Sequence, residues 1–313
     1  MKSGLAEVAA LADPVEELVR SALAIAPGAE VHSSLDDLLG RGLDGIVIAT
    51  PSALHAQQSI AVLESGCAAF CQKPLGRNAA ETRAVIEAAR RANRPLGVDL
   101  SYRYTAAMLA LRSVVRSGSI GEIYAADLVF HNAYGPDKPW FYDRRLSGGG
   151  CLIDLGVHLV DLGLWIFGFP SVESVQGRLF DHGRPYVASD AGVEDYATGE
   201  VALAGGRTMR FTCSWNLHAG CDAEISATFY GTDGAVAFRN VNGSFYDFTA
   251  ELFHKTSRTL LASPPDVWGG RAAVDWADRL ATGSGFDPDI EELVDVACIL
   301  DEIYAAHGVE TTG

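Results

Sequence analysis

The sequence is short of positive charge. Lys and Arg total 24 against 40 Asp and Glu, which leaves a net charge of −16. A nucleic-acid partner requires a basic surface that displaces counterions from phosphates, so none is expected. An anionic membrane surface is excluded as a partner on the same ground. Long apolar runs are missing as well. None reaches the ~18 uncharged residues of a spanning helix, so no membrane segment is expected. The opening MKSGLAEVAALADP carries Glu7 and Asp13 where a secretory leader would be apolar. The six cysteines (Cys67, Cys71, Cys151, Cys213, Cys221 and Cys298) form no C-x-x-C pair and sit mostly in apolar runs. They read as free thiols of a reducing compartment, and the chain as cytoplasmic.

A glycine motif is absent too. A dinucleotide-binding sheet opens with a strand, G-x-G-x-x-G and a helix, and an acid about 20 residues on holds the ribose. Asp13 stands at the end of a strand where that acid belongs, but no such glycines precede it. The run Gly148–Gly150 follows a loop rather than a buried strand and does not replace them.

What is present is a large, well-patterned chain. At 313 residues, with 48% hydrophobic and 20% charged, there is room for two domains and a substantial core. The first third alternates short strands with amphipathic helices: strands at 6–13, 29–32, 44–51, 68–74 and 94–103, and helices between them. Ser34 caps a brief helix, Ser52 another, and Asn78, with Glu81 three residues on, a third. Such alternation predicts a parallel doubly wound sheet, whose ligands bind beyond the carboxyl ends of its strands. After a helix over 106–117 and a strand over 123–131 comes an aromatic, charged loop. From residue 172 to 253 strand-like runs follow one another without helices, which implies a large, mostly antiparallel sheet. Helical patterns return at 266–280 and 287–307.

Between loop and strands lies GGGCLIDLGVHLVDLGLWIFG, Gly148 to Gly168. Its polar members Asp154, His158, Asp161 and Trp165 recur at helical spacing on an otherwise apolar, hence buried, helix. The stripe is either a satisfied polar seam between packed helices or an acid/base pair lining a cleft. In the second reading Asp154, one turn before His158, orients the imidazole. No third ligand is spaced for a metal, so none is expected. Lys73 ends a buried strand and is pinned by Pro74. It is either a solvated strand-end charge or a cation that holds a substrate hydroxyl and stabilises its alkoxide. His55, in the first turn of a helix, reads equally as structural or as a ligand contact.

The order ADP…DGIVIATPSALH…QKPL…GEI…GGGCLIDLGVHLVD resembles the glucose-fructose oxidoreductase, inositol dehydrogenase and MocA family (Gfo/Idh/MocA) over essentially the whole chain. Its specific part is a K-P dipeptide ending a strand and G-G-x-x-x-D-x-G-x-H some 75 residues later. The resemblance implies an α/β fold in which an incomplete Rossmann-like parallel sheet precedes an α+β domain with a large, mostly antiparallel open sheet. The expected domains are 1–103, binding NAD or NADP, and 104–313, for substrate and oligomerisation, with helix 287–307 packing back on the first. Lys73, Asp154 and His158 take the catalytic positions. Asp13, Thr50, Pro51, His55, Gln72 and Lys73 take the cofactor positions. Tyr102, Arg103 and the 134–143 loop, with Tyr134 and Trp140, take the substrate positions. A sugar or polyol substrate and a homodimer or homotetramer through the second sheet are also implied.

Two features depart from the family. Gln72 stands where E-K-P is usual, which removes one anion from beside Lys73. The first strand, glycine turn and most of the first helix are missing, so the strand at 6–13 lacks a neighbour and a pyrophosphate lacks its helix N-terminus. Either the gene starts upstream or the usual cofactor grip has been given up. Three functions therefore stand: a NAD(P)-dependent sugar or polyol oxidoreductase, with NAD favoured by the charge of Asp13; a cofactor-independent lyase, isomerase or dehydratase; and a non-catalytic partner subunit.

Overall fold

A computed structural model describes Gly4, residues 6–188 and residues 192–309. The chain begins with β1 (Ala10–Ala12), α1 (Glu16–Ile25), β2 (Glu30–His32) and α2 (Leu35–Leu39). Next come β3 (Gly45–Ile48), α3 (Ser52–Glu64), β4 (Ala68–Cys71), α4 (Ala79–Ala92) and β5 (Leu96–Val98). All pairings among these strands are parallel. The local chemistry explains the boundaries. Ser34 accepts from the Asp37 amide to start α2, and Asn78 accepts from the Glu81 amide to start α4. Asn93 closes α4 in the left-handed region at φ +48°. Two expectations shift: the residue before α3 is Pro51, with no side-chain cap, so Ser52 is its first helical residue. The strand drawn over 94–103 is only three residues long, and Ser101–Tyr104 form a 3-10 turn instead.

The parallel sheet is in two pieces. β1 pairs with β2, and β3, β4 and β5 form a separate three-stranded unit. Among the described residues β1 has no partner on its other edge. The second unit is the better buried: all four residues of β4 are inaccessible. It is covered by α3 and α4 and by a helix from much later in the chain, α8 (Arg271–Ala281), whose Trp276 packs on Phe70 at 5.7 Å.

The rest is built on nine strands. After α5 (Ala106–Arg116) come β6 (Ile123–Asn132), a 3-10 turn at Pro139–Tyr142, α6 (Arg144–Ser147) and α7 (Val157–Phe167). Then follow β7 (Val172–Asp181), β8 (Arg184–Pro185), β9 (Tyr196–Leu203), β10 (Arg207–Ser214), β11 (Ala223–Gly231), β12 (Ala235–Asn240), β13 (Phe248–His254) and β14 (Ser257–Ala262). Their order in the sheet is 14-13-12-11-6-10-9-7-8, antiparallel except where β10 lies parallel to β6. One face is covered by α5, α7 and α9 (Leu293–Ala305), and α9 also packs on α4. The other face is open, with a broad hollow of about 920 Å³ lined by residues such as Asp127, Arg178, Glu200 and Arg210.

The stretch from Arg144 to Phe167 is long and apolar enough to cross a bilayer, with a mean hydropathy of 1.6, but 83% of it is buried inside the protein. It is the core helix that its all-round apolarity implies. Its geometry departs from a plain α-helix: Leu152–Gly156 form a π-helical turn that runs into α7. A π turn breaks the 100° progression, so Asp154 and His158 are not one α-turn apart on a single line.

Candidate active site

Lys73 leaves the end of β4 and reaches the π turn. Its ammonium donates to the Asp154 carboxylate at 2.5 Å and to the Asp154 carbonyl at 2.8 Å. Both side chains are largely buried, so each charge depends on the other. The second carboxylate oxygen of Asp154 accepts from the Trp215 indole N–H at 3.0 Å. Asp154 is thus tied to Lys73 and Trp215 and makes no hydrogen bond to the His158 ring. The orienting role expected for it is corrected by the π turn.

His158 sits beside this pair. Burial pushes its pKa well below the usual imidazole value, and the charge of Lys73 adds to the shift. Both effects favour the neutral ring over the imidazolium. Tyr102 packs against it edge-on at 4.9 Å. The Tyr102 phenol is itself pushed up by burial and then by the charge of Asp154. Tyr102, His158, Asp154 and Lys73 therefore share one neighbourhood.

Other expected positions fall differently. His55 is buried, with its ring nitrogens 2.7 Å from the carbonyls of Pro74 and Thr50. Its two ring nitrogens thus face main-chain oxygens of the loop after β3 and the loop after β4, which gives His55 a structural role between them. Arg103 is also spent: its guanidinium forks onto buried Asp161, with Nε 2.8 Å from one oxygen, and lies near the Trp165 ring. The lower half of the stripe is thus a satisfied ion-pair seam, and Arg103 is not free to hold a substrate. Tyr134 is exposed and donates to Asp222 at 2.7 Å. Trp140 is partly buried in the 139–142 turn, stacked on Phe141. That turn rests on Trp215, with Tyr142 at 5.6 Å.

On the cofactor side, Asp13 closes β1 and accepts from the Val15 amide at 2.8 Å. Thr50 donates to Gln58 at 2.7 Å, and Pro51 begins the turn into α3. Gln72 donates its side-chain amide to Asp99 at 2.7 Å. A glutamate here would face a second carboxylate, that of Asp99. The anion beside Lys73 is Asp154. The other oxygen of Asp99 is buried without a partner.

Sequence reasoning missed three residues: Trp215, Asp99 and Glu194. Glu194 is fully buried, and its carboxylate accepts from the amides of Gly150 and Leu152 and from the Tyr304 hydroxyl. It caps the start of the central helix, whose orphan amides need such an acceptor. Burial raises its pKa, and those donors pull it back. The triple glycine was the signal. A Cβ on Gly149 would lie 2.0 Å from the Tyr304 oxygen, and one on Gly150 1.9 Å from the Glu194 carbonyl. Asp181, His182 and Asp195 also cluster, within 4.8 Å, but on an exposed hairpin of the nine-stranded sheet.

Residues 1–100 match the family described as oxidoreductase family, NAD-binding Rossmann fold (GFO/IDH/MocA), and residues 108–237 match the GFO/IDH/MocA C-terminal domain. The chain belongs to the Gfo/Idh/MocA family. Its relatives include D-glucoside 3-dehydrogenase of Escherichia coli K12, 32% identical over 62% of this chain and 59% of that protein. The 1,5-anhydro-D-fructose reductase of Ensifer adhaerens is 30% identical over 67% of this chain and 61% of its own. The matches thus span about three fifths of these relatives' length. Levoglucosan dehydrogenase, solved with NADH and levoglucosan, shares the fold with a TM-score of 0.80 at 22% identity, over 96% of this chain and 88% of that one.

Proposed function

We propose that this Gfo/Idh/MocA protein is a NAD(P)-dependent oxidoreductase that moves hydride between a sugar, cyclitol or related polyol carbon and nicotinamide. The observation that carries the reading is the convergence of Lys73, from a strand end, on Asp154 beside a neutral His158. Ligands of doubly wound sheets bind at such strand ends. Sugar dehydrogenases and reductases among the relatives support redox chemistry over the cofactor-independent and non-catalytic alternatives.

The residues present fit part of a nicotinamide dinucleotide. Asp13 ends β1 at the ribose position, and its charge suits the free hydroxyl of NAD better than a phosphate. Thr50–Pro51 and Gln72–Lys73 follow β3 and β4, and the unpartnered Asp99 oxygen follows β5. A glycine-rich strand–helix turn is not among the described residues. When bound, the nicotinamide supplies the hydride acceptor or donor. The chain's own groups handle the substrate oxygen. His158, neutral, takes the hydroxyl proton during oxidation and returns it during reduction. Lys73 holds that oxygen and stabilises alkoxide charge, and Asp154 fixes the ammonium in place. Trp140 and Tyr142 wall the substrate side.

The domain boundary near residue 103, a cytoplasmic location and a homodimer or homotetramer through the open sheet face belong to the same proposal. The test is turnover of a panel of pyranosides, cyclitols and polyols with NAD+ and NADP+. Activity in the wild type that is lost in H158A and K73M supports the reading. Turnover without nucleotide, or turnover indifferent to both substitutions, refutes it.

A further inference from the structure

Trp215 is the first residue after β10, and its place is set by the backbone: its amide donates to the Asp195 carbonyl at 2.8 Å, and Asn216 turns the chain at φ +56°. The indole is buried and points back onto the π turn. Two features converge there. Its N–H takes the Asp154 oxygen that Lys73 leaves free, so the carboxylate carries one donor on each oxygen. Its ring is also the floor of the 139–142 turn, met edge-on by Phe141 at 6.4 Å and by Tyr142 at 5.6 Å. A carboxylate held from one side only can swing about its terminal torsion, which is broad and soft. Held from both sides it cannot, and the ammonium bound to it stays aimed.

We propose that Trp215 is a positioning residue: its indole N–H locks the Asp154 carboxylate so that Lys73 is presented to the substrate, and its ring supports the aromatic 139–142 turn beside it. The inference rests on the redox reading above for its kinetic consequences, but the hydrogen bond itself does not.

Two measurements separate these. The protein contains five tryptophans. Isotope labelling of their indole nitrogens gives one signal each by NMR, and W215F identifies that of Trp215 by its loss. D154N should move this signal more than it moves any other tryptophan's. An unmoved signal overturns the proposal, whether or not the protein turns over a nicotinamide. In kinetics, W215F keeps most of the ring and loses the donor. It should lower kcat about tenfold, the usual scale for a donor to a charged group, and leave KM within about twofold. W215L removes the ring as well and should also raise KM several-fold. If both variants lose only thermal stability and keep the wild-type kcat and KM, Trp215 is packing and the proposal fails. Absence of any wild-type turnover would defeat the redox reading, and the indole signal would still decide this one.

Discussion

The two ends of the proposed active cleft are held very differently. Around the central helix every side chain from Val157 to Ile166 is buried, and the charged groups are paired. At the β1–β2 end no residue of α1 is buried, β1 is half-exposed, and among the described residues its ladder has one partner. Burial of apolar surface sets local opening free energy. The half around the central helix is therefore the more tightly packed, and in the proposed site the β1–β2 half is the one a ligand would order.

The largest effect that sharpens this contrast comes from the tightly packed half. H158A and K73M should each lower turnover by about 10²–10⁴-fold, the range for a placed proton-transfer group. Steady-state rates, with circular dichroism to confirm folding, check this. K73M also leaves Asp154 without its cation, so a fall in stability of about 3 kcal/mol is expected in denaturant unfolding.

Next in size is the strand-end pair. Q72E sets a carboxylate against Asp99 and should destabilise by about 1–3 kcal/mol, and Q72E/D99N should recover most of the loss. Failure of the second change to rescue the first would mean that the Gln72–Asp99 bond is not what selects glutamine.

The pH dependence follows from the histidines. Burial lowers the pKa of His55, His131 and His158 in the folded chain. Their neutral forms thus favour folding fully above the unfolded imidazole value of about 6.5. That stability is lost as pH falls below it, because the unfolded chain protonates first. Melting temperature should be flat above neutrality and drop on acidification, and H55N should shallow the drop. The smallest effect concerns the loose half. Amides of β1, α1 and β2 should exchange faster than those of β3 to β5, and saturating NADH should slow them selectively. Equal protection in both units would break the comparison.

Much of this was legible in the residues. Alternation of strand and helix gave the parallel sheet, and uninterrupted β-runs gave the large open one. The strand expected at 6–13 without a neighbour is β1, which pairs with β2 alone among the described residues. Lys73 and His158 stood out because charged groups bounded by apolar runs need a reason. What stayed hidden was set by distance along the chain and by one local irregularity. Trp215 lies 61 residues from Asp154, and Glu194 lies 42 from Leu152, so no local pattern pairs them. The assumption of a uniform 3.6-residue period paired Asp154 with His158, and the π turn at Leu152–Gly156 replaced that partner with Lys73. The same stripe holds two ion pairs: a seam at Arg103–Asp161, and Lys73–Asp154 beside His158, which carries the proposed chemistry.

The most direct test of the redox reading is equilibrium titration of the purified, nucleotide-free protein with NADH and NADPH, followed by nicotinamide fluorescence. Saturable binding of NADH, tighter than that of NADPH and weakened by D13A, is the predicted result. No saturation by either nucleotide up to millimolar concentration would contradict it.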